Sequence, residues 1–129
     1  MSIQTIAGME VDSMNIGRIA YRILAWAFLG CIVIQVFLAG MATFGDPSKW
    51  LTHSLFVKIF AMVPLAMFLL AFIGGIKGRD RFLSLALFLL VVMQFLTVQV
   101  FSSVFLIAAL HPLIAMLLFW GSIAAVRKA

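Results

Sequence analysis

Charge is scarce in this 129-residue chain. Only 10% of its residues are charged, where a soluble domain carries about a quarter. Acidic residues are scarcer still: Glu10, Asp12, Asp46 and Asp80 are all there are, and none lies inside a long apolar run. From Phe82 to Val126 no charged residue occurs at all. The single cysteine, Cys31, excludes an internal disulfide and any multi-cysteine metal site. Its apolar surroundings offer nothing to lower its pKa, so it reads as a structural thiol. Together these absences rule out a water-soluble globule, a disordered tail and a nucleic-acid module. The missing buried carboxylate also argues against a small multidrug-type transporter, which needs one to bind a cation. No base–acid constellation supports serine or cysteine nucleophiles, so the chain reads more as a carrier or accessory subunit than as an enzyme.

What is present is apolar: 66% of the residues are hydrophobic, thirteen are Phe and eight are Met, and mean hydropathy is +1.26. About twenty such residues cross a bilayer. The expected fold is all-α, an integral membrane up-down four-helix bundle with spans at about 23–44, 50–76, 82–101 and 106–126. Gly45-Asp46-Pro47-Ser48 breaks the first two apart. Pro64 should free the carbonyl of Phe60 and kink the second. The uncharged stretch of 45 residues would make a helix of about 67 Å, so it must fold back, most readily at Ser102-Ser103. Residues 1–17 form an N-terminal segment, with Ile3, Ile6, Ala7, Val11 and Met14 at the spacing of a short amphipathic helix. It lacks the basic start of a cleavable signal peptide. Gly40, Gly74 and Gly75 are candidates for close helix approach.

Of the nine Lys and Arg, seven (Arg18, Arg22, Lys77, Arg79, Arg81, Arg127, Lys128) fall at one end of such a bundle. Only Lys49 and Lys58 fall toward the other. The bias predicts a cell-membrane protein with both termini cytoplasmic.

Polar side chains at membrane depth carry the functional signal. His53 lies three residues past Trp50, and His111 five past Leu106, so each sits ~5–8 Å inside the outer boundary. They are the only histidines, and they belong to the second and fourth spans, which are diagonal in an up-down bundle. Across a gap of roughly 12–14 Å between diagonal helices, two imidazoles with one metal between them fit. Two histidines are too few for zinc or copper, but a macrocycle supplies four more donors. The expected cofactor is therefore one haem with His53 and His111 as axial ligands; the magnesium of a chlorophyll-type pigment would accept the same pair. Gln35, Gln94 and Gln99 lie on the same side and, with Lys49, suit outward-facing propionates. Lys58 either snorkels to the headgroups or pairs with a propionate or quinone. The bland reading is that both histidines pack against neighbouring helices in a cofactor-free structural or assembly subunit of a membrane complex.

The run Gln99-Val-Phe-Ser-Ser-Val-Phe-Leu-Ile-Ala-Ala-Leu-His111-Pro-Leu-Ile-Ala-Met-Leu-Leu-Phe resembles the third-to-fourth helix region of one half of haem A synthase. Leu-Thr-His53-Ser-Leu-Phe is similar to the second-helix histidine segment of that half. The chain also resembles a family of small uncharacterised prokaryotic four-helix membrane proteins with a histidine at each place. The resemblance implies that His53 and His111 are the axial pair of a haem b. The synthase's catalytic half carries membrane-side acidic residues that this chain lacks, so an electron-carrying or haem-sensing module is the better expectation than synthesis. Partners implied are the lipid bilayer, a quinone, a larger respiratory or photosynthetic complex, or a second copy that rebuilds an eight-helix bundle.

Overall fold

The computed structural model describes all 129 residues and contains only helices. Lipid offers the backbone no hydrogen-bond partners, so each crossing segment must satisfy its own N–H and C=O groups. The first span is α1 (Ile3–Phe44). The second is α2 (Lys49–Phe60) followed by α3 (Val63–Ile73). The third is α4 (Arg79–Phe95), closed by a π-helical turn over Leu96–Val100. The fourth is a short α5 (Phe105–Ala108) running into α6 (Leu110–Lys128). Four apolar helices long enough to cross a bilayer result, which makes this a four-helix membrane bundle.

Two details follow from local chemistry. The second span breaks at Ala61-Met62, just before Pro64, whose ring cannot continue the ladder. In the turn between the first two spans, the Ser48 N–H donates to Asp46 Oδ1 at 2.9 Å. The Ser48 hydroxyl and then this N–H hold the Asp46 carboxyl below the usual range.

The N-terminal segment departs from expectation. It is helical, but it is not a separate helix lying beside the first span: α1 is continuous for 42 residues. That is about 63 Å, roughly twice the hydrocarbon thickness. The Ser2 hydroxyl accepts the Thr5 N–H and caps its start. Nothing between Ser2 and Gly17 breaks helical geometry, and the nearest proline is Pro47.

Around the bundle, α1 packs on the second span and on α6, while α4 packs on α3 and α6. The second and fourth spans are therefore diagonal. Buried positions recur at intervals of three and four: Gly17, Tyr21, Ala25, Phe28 and Ile32 on α1; Pro64, Met67 and Ala71 on α3; Ser84, Leu87 and Val91 on α4; Ile114, Leu118, Ser122 and Ala125 on α6. These stripes suit shallow left-handed crossings. Most of the large apolar side chains outside them face outward, as lipid contact requires.

The tightest backbone-to-backbone approach joins Gly17 to Gly74: a Cβ on Gly17 would stand 2.7 Å from the Gly74 nitrogen. Arg18 Nε then donates to the Gly74 carbonyl at the end of α3. Gly74 thus behaves as expected, and Gly75 turns the chain at φ 67°. Gly40 does not mediate an approach, since a Cβ there would meet nothing within 4 Å. The packed stripes concentrate toward the end that carries the basic loops, and the bundle opens toward the other.

Candidate functional site

At the open end, His53 and His111 come together across the diagonal, with ring centres 6.4 Å apart and ring planes tilted by 59°. His53 sits in the second turn of α2, where α1 alongside it holds it twice. Its Nδ1 lies 3.0 Å from the Gln35 carbonyl oxygen. The Gln35 amide Nε2 in turn donates to the His53 carbonyl at 2.8 Å. Trp50, one turn earlier, sets its edge against the imidazole, with centres 5.6 Å apart.

His111 is the second residue of α6, where Pro112 costs no intrahelical hydrogen bond. Its Nδ1 lies 3.2 Å from the Gln94 carbonyl and 3.2 Å from Thr97 Oγ1. The Thr97 hydroxyl donates to that same carbonyl at 2.8 Å, which leaves its oxygen to accept from the ring. These partners sit where α4 passes into the π-helical turn, a local widening often found at functional sites.

A carbonyl oxygen can only accept, so each of these two Nδ1 atoms carries the proton. In the neutral rings, both Nε2 atoms are then bare lone pairs, and neither has a hydrogen-bond partner in the protein. Histidine ligands usually take this form, with the far nitrogen tied to a carbonyl that fixes ring and tautomer. Two imidazoles that ligate one metal from opposite sides, each through a bond of about 2 Å, hold their ring centres about 6 Å apart. The separation here fits. No third His, Cys, Asp or Glu joins them, so the donor set suits a metal that brings its other ligands with it.

Clefts flank the pair. The smaller, about 370 Å³, lies among the second, third and fourth spans, with Gln94 and Gln99 in its wall. The larger, about 980 Å³, lies mainly between the first, second and fourth spans and reaches the third at Val91 and Gln94, with Gln35 also in its wall. Both histidines line both clefts.

The structure therefore gathers His53, His111, Gln35, Gln94 and Gln99 at one place, with Gln99 the most exposed. It does not gather the two lysines. Lys58 is exposed and lines neither cleft, because five residues of helix turn it about 140° away from His53. Lys49, at the first turn of α2, also lies outside both walls. Sequence reasoning missed the Gln94 backbone carbonyl and the role of Thr97. A carbonyl carries no residue-type signal, and a threonine in an apolar helix is not distinctive by residue type.

No curated protein and no solved structure matches the chain, and neither comparison shows a link to haem A synthase. A family profile described as "Family of unknown function (DUF6220)" matches residues 35–103, a stretch that includes Gln35, His53, Gln94, Thr97 and Gln99 and ends before His111. The profile covers more than half of the sequence, and the chain belongs to that family.

Proposed function

We propose that this chain is a small b-type cytochrome of the cell membrane, with one haem b between His53 and His111, acting as an electron carrier or as an accessory subunit of a redox complex. One observation carries the reading: two diagonal imidazoles with ring centres 6.4 Å apart, each with Nδ1–H committed to a carbonyl and Nε2 free. When bound, the haem supplies a one-electron iron couple.

The protein's own part is positional. Gln35 and the Gln94–Thr97 pair fix ring orientation and tautomer from two different helices. Trp50, Val57 and Phe95 supply apolar wall to the smaller cleft beside the rings. Packing at the opposite end of the bundle holds the second and fourth spans at a constant separation. The seven basic residues at that end support an orientation with both termini cytoplasmic, which puts the histidines toward the outer face. A membrane quinone, a larger respiratory or photosynthetic complex and a second copy of the chain are the partners this reading proposes.

The test is a reduced-minus-oxidised visible spectrum of protein purified in detergent from haem-replete cells, beside His53→Ala and His111→Ala. The expected result is a sharp α band that each substitution abolishes. A colourless wild-type protein would overturn the reading and make the pair a helix-packing contact in a cofactor-free subunit. A pigment spectrum of the chlorophyll type would keep the ligands and replace the cofactor.

A further inference from the structure

At the end of the bundle that carries the basic loops, two arginines from different helices grip one turn. Arg18 of α1 donates through Nε to the Gly74 carbonyl at 2.6 Å, and Arg81 of α4 donates through Nε to the Ile76 carbonyl at 2.9 Å. Neither makes another hydrogen bond, so the outer nitrogens of both guanidiniums stay free. No carboxylate answers them, since the one ion pair of the chain joins Lys128 to Asp80. A guanidinium anchored by Nε has a fixed plane, and its outer nitrogens form the fork that phosphate oxygens accept.

The two cations flank the same lip. The carbonyls they hold are two residues apart, no more than about 7 Å along the chain. Arg81 Cζ lies 4.0 Å from the centre of the Phe72 ring, and a Cβ on Gly75 would stand 3.8 Å from Arg18 Nη2. Phe72 and Gly75 are one turn apart at the end of α3. This is the level at which the second span ends and lipid headgroups begin. An aromatic wall adjoins it: Phe68 stands edge-on to Phe72 at 5.2 Å and lies 6.0 Å from Phe82 of α4. Phe72 and Phe82 are exposed, so this wall faces lipid.

Two free forks above an apolar wall suit a molecule with a phosphate head and a hydrocarbon tail. We propose that the Gly74–Ile76 turn, with Arg18 and Arg81, binds the phosphate of an anionic phospholipid, whose acyl chain lies along Phe72 and Phe68. The headgroup beyond the phosphate is uncharged, because Lys77 and Arg79 adjoin the turn and repel an ammonium. A general attraction of basic loops for anionic lipid would spread over all seven basic residues of this end. Two arginines anchored on one turn concentrate it at one place. The site lies at the opposite end of the bundle from the histidines and does not depend on what they hold.

Native mass spectrometry of the intact chain, released from detergent micelles, tests it with phosphatidylglycerol, phosphatidylcholine of the same acyl chains and inorganic phosphate. One phosphatidylglycerol per chain should bind about tenfold more tightly than phosphatidylcholine, and millimolar phosphate should not displace it. Arg18→Lys and Arg81→Lys keep the charge and lose the fork, and each should weaken binding about fivefold. Arg127→Gln removes a whole charge at the same end and should weaken it less than about twofold. Equal binding of the two lipids would overturn the proposal, and that comparison needs no variant to fold. Arg127→Gln as damaging as either lysine variant would overturn it in favour of diffuse attraction. Displacement by phosphate would overturn its lipid form and leave a site for a free anion.

Discussion

Gln35 and His53 are joined twice, by a ring N–H given to the Gln35 carbonyl at 3.0 Å and an amide N–H given back to the His53 carbonyl at 2.8 Å. The backbone half of this exchange survives any substitution at position 35, and the side-chain half does not. Gln35→Leu leaves the His53 carbonyl without its added donor in an apolar setting. The expected cost is about 1–2 kcal/mol. Thermal unfolding in detergent should show the midpoint several degrees lower, and an unchanged midpoint would mean that the amide contributes nothing to holding α2.

Thr97→Val tests the other ring. The change is nearly isosteric and removes the hydroxyl that touches His111 Nδ1, but the Gln94 carbonyl still holds the ring proton. Stability should fall by about 1 kcal/mol. If the proposed haem is bound, its affinity should drop no more than about tenfold, against complete loss with His111→Ala. Loss of the α band in Thr97→Val would show that the hydroxyl, and not the carbonyl, orients the ligand.

Gly17→Ala should destabilise the bundle by about 1–3 kcal/mol, because the new methyl group meets the backbone of Gly74, which cannot swing aside. Gly40→Ala is the matched control. It has open space around it, and should be neutral or stabilising by up to about 1 kcal/mol. Unfolding midpoints of the two variants that moved together would contradict this packing.

Orientation is tested by Ser48→Cys and Lys77→Cys in a Cys31→Ala background. On intact cells a membrane-impermeant maleimide should label position 48 at once and position 77 only after lysis. The opposite pattern would place the histidines toward the cytoplasm.

Much of the architecture is legible in the chain itself. The breaks at Asp46-Pro47, at Pro64 and at Ser102-Ser103 all fall where the helices part or turn, because proline and short polar residues act through their immediate neighbours. The two histidines are legible too, since matched distances from two helix starts become matched depths in an up-down bundle. Position along a helix, however, says little about which way a side chain turns in the assembled bundle. Lys49 makes the point: it shares the right end of α2 with His53 yet stays outside both clefts.

The sequence by itself determined a membrane bundle of four helices, its turn positions and the placing of His53 and His111 toward the same end of it. Hydropathy and breaker residues act locally, and the bilayer turns them into geometry. Tertiary structure alone decided that α1 runs unbroken through Gly17, that this glycine and not Gly40 makes the close contact, and that Gln35 and Gln94 each leave an amide oxygen unmet. It also decided the tautomers, because the partners of both rings are backbone carbonyls on other helices. A carbonyl is common to every residue, and only the fold chooses which one a histidine finds.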